Sequence, residues 1–169
     1  MNTLIEANRN CLQQGMDFLR LIPADLYSKP CQGVFGSSIG GHFRHNLDHY
    51  QAFKDGFSKG RVDYDARERQ PAIENEPGIA AEVSQQLLAF FDNIAGEDLD
   101  KTMQIRMDDG GDSAWSRTSL RRELQFLLSH TIHHYALVVS IAARFGYADF
   151  PDGFGIAPST LHYKEKREA

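Results

Sequence analysis

Four stretches of this chain repeat their apolar residues every three or four positions, a period that belongs to helices buried along one side. The first covers 3–21. Leu4, Ile5, Leu12, Met16, Leu19 and the adjoining Ile22 form its stripe, and Pro23 closes it. The second starts at Ser37 or Ser38, either of which offers an N-cap hydroxyl, and runs to Ser58, where Lys59 and Gly60 stop it. The third covers 79–94 on Ile79, Val83, Leu87, Phe90, Phe91 and Ile94, and Gly96 ends it. The fourth is capped at Thr118 or Ser119 and runs to Phe145, with Gly146 as its stop. At ~150 residues per domain, 169 residues make one domain, 1–169. Four amphipathic helices in it predict an all-α, antiparallel four-helix bundle.

The connections refine this frame. Residues 61–78 are polar and read as a long crossover between the second and third helices. Thr102–Met107 alternates, 108–113 is turn chemistry, and Ala114–Arg117 returns, so a small hairpin is expected before the fourth helix. The tail from Tyr147 carries Pro151, Gly153, Gly155 and Pro158. It reads as coil or short turns wrapped on the bundle, with 164–169 fraying. Gly40 and Gly41 weaken the first turn of the second helix and permit a neighbour's backbone to come close.

Composition narrows the function. A net charge of -5 argues against nucleic acid as a partner. Apolar runs are short, as at 135–139, so no membrane span is expected. The N-terminal residues lack the basic and apolar regions of a signal peptide, and Cys11 and Cys31 make no disulfide framework. A cytoplasmic chain with reduced thiols follows.

What composition does not make ordinary is the histidine pattern. Six of the seven histidines fall in two short clusters. His42, His45 and His49 are three and four apart, so they form one column on the second helix, beside the stripe of Ile39, Phe43, Leu47, Tyr50 and Phe57. His130 and His134 stack likewise on the fourth helix beside Leu120, Leu124, Leu127, Thr131 and Val138. At roughly 100° per residue they lie about 40° apart, whereas His133 turns away. Two imidazoles one turn apart can reach one ion, and a third from a facing helix leaves positions open for water or substrate. A pH-sensitive histidine border or a structural polar seam fits the same pattern. Among His42, His45 and His49 the geometry makes no choice.

Ser38-Ile-Gly-Gly-His-Phe-Arg-His45, then Asp48-His-Tyr50, then Ser129-His-Thr-Ile-His-His-Tyr135 resemble the DinB/YfiT-like superfamily of metalloenzymes. The resemblance covers the order of four long helices. It implies a divalent ion (nickel, zinc or iron) on His45, His130 and His134; His42 and His49, which this chain carries in departure from the family, are candidates for outer residues that orient them. It also leans toward a homodimer. The chain departs from the family after His134, where Tyr135 and Ala136 replace the usual Arg-Gly. Two function classes follow: a metal-dependent enzyme on an unknown small molecule, of hydrolase or thiol-dependent transferase type, or a non-catalytic metal- or ligand-binding module.

Other residues carry weaker signals. Glu123, seven before His130, is a candidate general base or an acid that orients an imidazole, or else a first-turn capping glutamate. Asp48 reads as an outward, solvated charge. Arg67, Arg69 and Glu74 are candidates for an anionic substrate or an exposed charged loop. His162 reads as a surface residue rather than a fourth ligand.

Overall fold

The structure is a computed structural model and describes residues 3–33, 36–108, 110–111 and 114–168. The four expected long helices are α1 (Thr3–Leu21), α3 (Ile39–Phe57), α5 (Pro77–Asn93) and α6 (Leu120–Arg144). Between and after them lie α2 (Ala24–Tyr27), α4 (Pro71–Asn75) and α7 (Pro158–Glu168), with β1 (Arg61–Asp63), β2 (Thr102–Arg106) and β3 (Ser116–Ser119). The described chain is thus mainly rather than purely helical, with seven helices and a small three-stranded sheet.

Capping fixes where the two histidine-bearing helices begin. Ser38 Oγ accepts from Gly41 N at 2.9 Å and starts α3, and Ser119 Oγ accepts from Arg122 N at 3.3 Å and starts α6. α1 and α3 each pack on both α5 and α6. Their stripes meet in a core that includes the fully buried Phe18, Phe43, Tyr50, Phe53, Phe91, Leu127 and Val138. A polar relay crosses it. Tyr50 donates to Asn8 Oδ1 at 2.9 Å, and Asn8 donates to the Leu124 carbonyl at 3.0 Å, which ties α3 to α6 through α1.

Three expectations change. The crossover over 61–78 is not a long irregular loop. β1 pairs parallel with β2, Val62 opposite Ile105, and α4 and α5 follow. Pro71 and Pro77 open those helices, where a fixed φ and a missing N–H cost nothing. The tail holds α7, again opened by a proline (Pro158), and its helix continues through Glu168, where fraying was expected; residue 169 lies outside the described residues. Thirdly, the apolar runs are short, but α6 taken as a whole is long and apolar enough to cross a membrane by length and composition. It buries Leu120, Leu124 and Leu127 within the fold. The hairpin strands β2 and β3 are present, while positions 109, 112 and 113 of their expected turn lie outside the described residues.

The close approach expected at Gly40 is real. A Cβ there would collide with the Glu74 carbonyl, and Tyr27 donates to the Ile73 carbonyl at 2.7 Å beside it. α4 is thereby fastened over the start of α3, next to the histidine column.

Candidate metal centre

α3 and α6 bring five imidazoles into one continuous cluster. His45 Nε2 and His130 Nε2 face each other at 3.1 Å, and His42 Nδ1 and His134 Nδ1 at 2.8 Å. The His134 ring centre lies 4.7 Å from that of His45 and 4.6 Å from that of His130. His49 stands 4.6 Å from His45 and 4.5 Å from His130, centre to centre. His42 and His49 are buried, and His45, His130 and His134 are half-buried. His133 is exposed and touches only the edge of the cluster, its ring 5.2 Å from that of His134. The side chain of His162 lies outside the described residues.

The surroundings hold these rings neutral. Burial, followed by the positive charges of Arg67 and Arg44, pushes His45 down to about 4. Burial also takes His49 to about 4, and takes His130 and His134 to about 3, with neighbouring histidines adding to it. His42 is lowered as well, by burial first. Neutral imidazole is the form that binds a metal.

The donor set fits an ion. Ligand bonds of ~2.1 Å at angles between a right angle and a tetrahedral one separate two nitrogens by about 3.0–3.4 Å. The 3.1 Å between His45 and His130 falls in that range. It also suits one ring donating to the other. His42 Nε2 and His130 Nδ1 are buried with no hydrogen-bond partner, so the cluster is not a closed polar seam. Ring nitrogens of His45, His49 and His130 lie within 4.8 Å of one another and could hold a metal ion.

The flanking charges are placed differently from the sequence expectation. Asp48 is 3% exposed, not solvated. The helical wheel points it away from the α3 stripe, but α4 and the segment after β1 fold across that side. Arg44 donates to Asp48 Oδ2 at 3.0 Å and to Glu74 at 2.8 Å, so Glu74 is held by this pair. Arg67 reaches the cluster and donates to His49 Nε2 at 2.8 Å, while His49 Nδ1 donates to the His45 carbonyl at 2.7 Å. Arg69 is exposed.

Glu123 is fully buried and accepts from Tyr64 at 3.0 Å, Thr118 at 2.7 Å and Arg122 at 3.1 Å. It completes no capping box, being one position too late after Ser119. It approaches the histidines through Tyr64, whose ring centre is 5.6 Å from that of His49. Tyr64 and Arg44 went unnoticed in the sequence. The alternation of Val62 and Tyr64 beside a polar stretch was the signal for the former; for Arg44 it was the four-residue spacing to Asp48 on one helix.

A DinB-like protein of Bacillus subtilis, YjoA, shares this fold with a TM-score of 0.65 over 90% of this chain and 98% of that one, at 18% identity. FK506-binding protein 5 of Rhizopus delemar is 31% identical over 109 residues, which are 63% of this chain and 28% of that protein. This chain therefore spans little more than a quarter of that relative. The profile of the DinB superfamily matches residues 14–138, from within α1 into α6 and across both histidine clusters. That match spans well over half of the sequence, and the chain belongs to the DinB superfamily.

Proposed function

We propose that this chain is a metal-dependent enzyme that acts on a small molecule, with a divalent ion held by His45, His130 and His134. In this reading α1, α3, α5 and α6 form an antiparallel four-helix bundle that presents the ion between α3 and α6. One observation carries the choice of ligands: what each ring's second nitrogen is doing. His49 spends both nitrogens, one on the His45 carbonyl and one on Arg67. A cation at His49 Nε2 would also meet the Arg67 guanidinium head-on. His42 and His134 share their Nδ1 atoms, and of the two it is the His134 ring that lies against both His45 and His130, at 4.7 and 4.6 Å. His42 thus orients His134, and His49 props His45, as outer residues commonly do for metal-binding histidines.

Nickel, zinc or iron bound there supplies Lewis acidity, on which hydrolysis and thiol transfer both draw. Elemental analysis after loading with each metal tests the reading, and about one equivalent per chain is expected. X-ray absorption should show three imidazole nitrogens and at least one exchangeable position. Protein that takes up none of the three metals overturns it. An ion closed off by protein atoms makes the chain a binding module instead.

A further inference from the structure

Arg67 joins the histidine cluster to a cavity that the metal site does not use. On one side its Nη1 donates to His49 Nε2 at 2.8 Å. On the other it lines a cavity of about 310 Å³ between α3, β1 and the segment that follows, whose walls include Asp48, Lys59, Arg61, Asp63 and Glu68. Arg67 is half-buried, yet among the described residues no carboxylate forms an ion pair with it. Asp63 pairs with Arg106, while Asp48 gives one oxygen to Arg44, keeps Oδ1 buried without a hydrogen-bond partner, and supports the Arg67 charge from a distance. Glu68 stands exposed at the rim.

A guanidinium offers five donors in a planar fork, and the described contacts of Arg67 use one of them. Burial first, then the charges of Arg69 and Arg44, act against its charge, while Asp48 and Asp65 support it. A partly desolvated cation facing neutral imidazoles is unfavourable until an anion joins it. The fork matches the paired oxygens of a carboxylate or phosphate. At the exposed edge of the same cavity Lys59 and Arg61, the latter held over Trp115 at 4.0 Å, face the carboxylates of Asp55 and Glu68, so Arg67 is the cation that lies inward of this balanced rim.

We propose that Arg67 is the oxyanion-binding residue of this site, and that the substrate is a small molecule whose carboxylate or phosphate enters the cavity and pairs with the guanidinium. The place of the histidines as the reacting end rests on the metal-enzyme reading; the pairing with Arg67 does not. Arg67 is the residue that touches both the cavity and His49, so an anion bound in the cavity meets the histidine cluster through its guanidinium.

The test measures binding of acetate and of inorganic phosphate by calorimetry. The proteins are the wild type, Arg67→Gln, Arg67→Lys and Arg69→Gln, each with metal and after chelation. At least one probe should bind the wild type. Arg67→Gln should weaken it at least about tenfold, the effect of losing charged hydrogen bonds, with Arg67→Lys in between and Arg69→Gln near wild type. Metal content should stay the same in all four. If the proteins hold no metal but the loss at Arg67 persists, the metal reading fails and this one stands. If neither probe binds the wild type, or Arg67→Gln and Arg67→Lys both bind as the wild type does, the proposal is overturned whatever the metal content. Equal losses in Arg67→Gln and Arg69→Gln overturn it too, since they reflect general charge alone. Which probe binds separates a carboxylate substrate from a phosphate one.

Discussion

His45 Nε2 on α3 and His130 Nε2 on α6 point at each other across 3.1 Å. An ion shared by that pair links two helices that are also joined by apolar side chains, the His42–His134 contact and the Asn8–Tyr50 relay. It binds the folded chain and not the unfolded one, so it adds stability by mass action, about 2.7 kcal/mol at a free metal concentration of 100 times Kd. Chelation of metal-loaded protein should therefore lower Tm, and re-addition of metal should restore it. Superimposable melting curves would exclude a bridging ion.

The ligand set is tested one ring at a time. His45→Ala, His130→Ala and His134→Ala should each lose most of the metal, because two imidazoles make a poor chelate. His133→Ala should keep it, since that ring is exposed and at the edge of the cluster. His49→Ala and His42→Ala should keep most metal but bind it more weakly, about 10- to 100-fold for outer residues that orient ligands. Metal per chain by elemental analysis decides. A silent His134→Ala together with an empty His49→Ala would move the third ligand to His49, inside the trio whose nitrogens lie within 4.8 Å.

Acid should weaken the metal-free protein through the same rings. Folded, His45 and His49 are held down to about 4 and His130 and His134 to about 3. Unfolded, each returns to ~6.5. Above that value both states carry neutral rings, and these groups add no slope. Below it the unfolded chain takes up protons that the folded chain refuses, so stability falls as pH drops from ~6.5 toward the folded values. The urea midpoint of chelated protein should be lower at pH 5 than at pH 7, and a His45→Asn/His130→Asn double variant should flatten the difference. A midpoint independent of pH would show that the rings protonate without cost.

What the sequence conceals here is long-range. The four long helices were legible because their stripes and their stops, such as Gly60 and Gly146, are local. The two histidine columns were legible for the same reason, and so was the separation of His133 from His134. Asp48 was misread because a helical wheel measures direction against α3 alone. What covers that side, α4 with Glu74 and the segment bearing Arg67, arrives from 19 and more residues later in the chain. β1 left only the alternation of Val62 and Tyr64, too short to read as a strand until it pairs with β2, with Arg61 opposite Gln104. Pro71, Pro77 and Pro158 lie in stretches that read as crossover or coil, although the first turn of a helix is where proline is best tolerated.

Glu123 separates a structural acid from one that works in the site. Its two oxygens accept from Tyr64, Thr118 and Arg122, and none of the three is a histidine. Removing it with Glu123→Ala leaves the buried Tyr64 hydroxyl without its acceptor, a loss of roughly 2–4 kcal/mol for a broken buried network. Tyr64 also packs on His49 and Phe126, so some loosening of the cluster should follow, but not loss of its ligands. The expected result is a clear drop in the urea midpoint for Glu123→Ala and a smaller one for Glu123→Gln. Metal content should stay near wild type in both while they remain folded. Glu123→Gln protein of wild-type stability that had lost its metal would instead place this carboxylate in the site itself, as the sequence position seven residues before His130 first suggested.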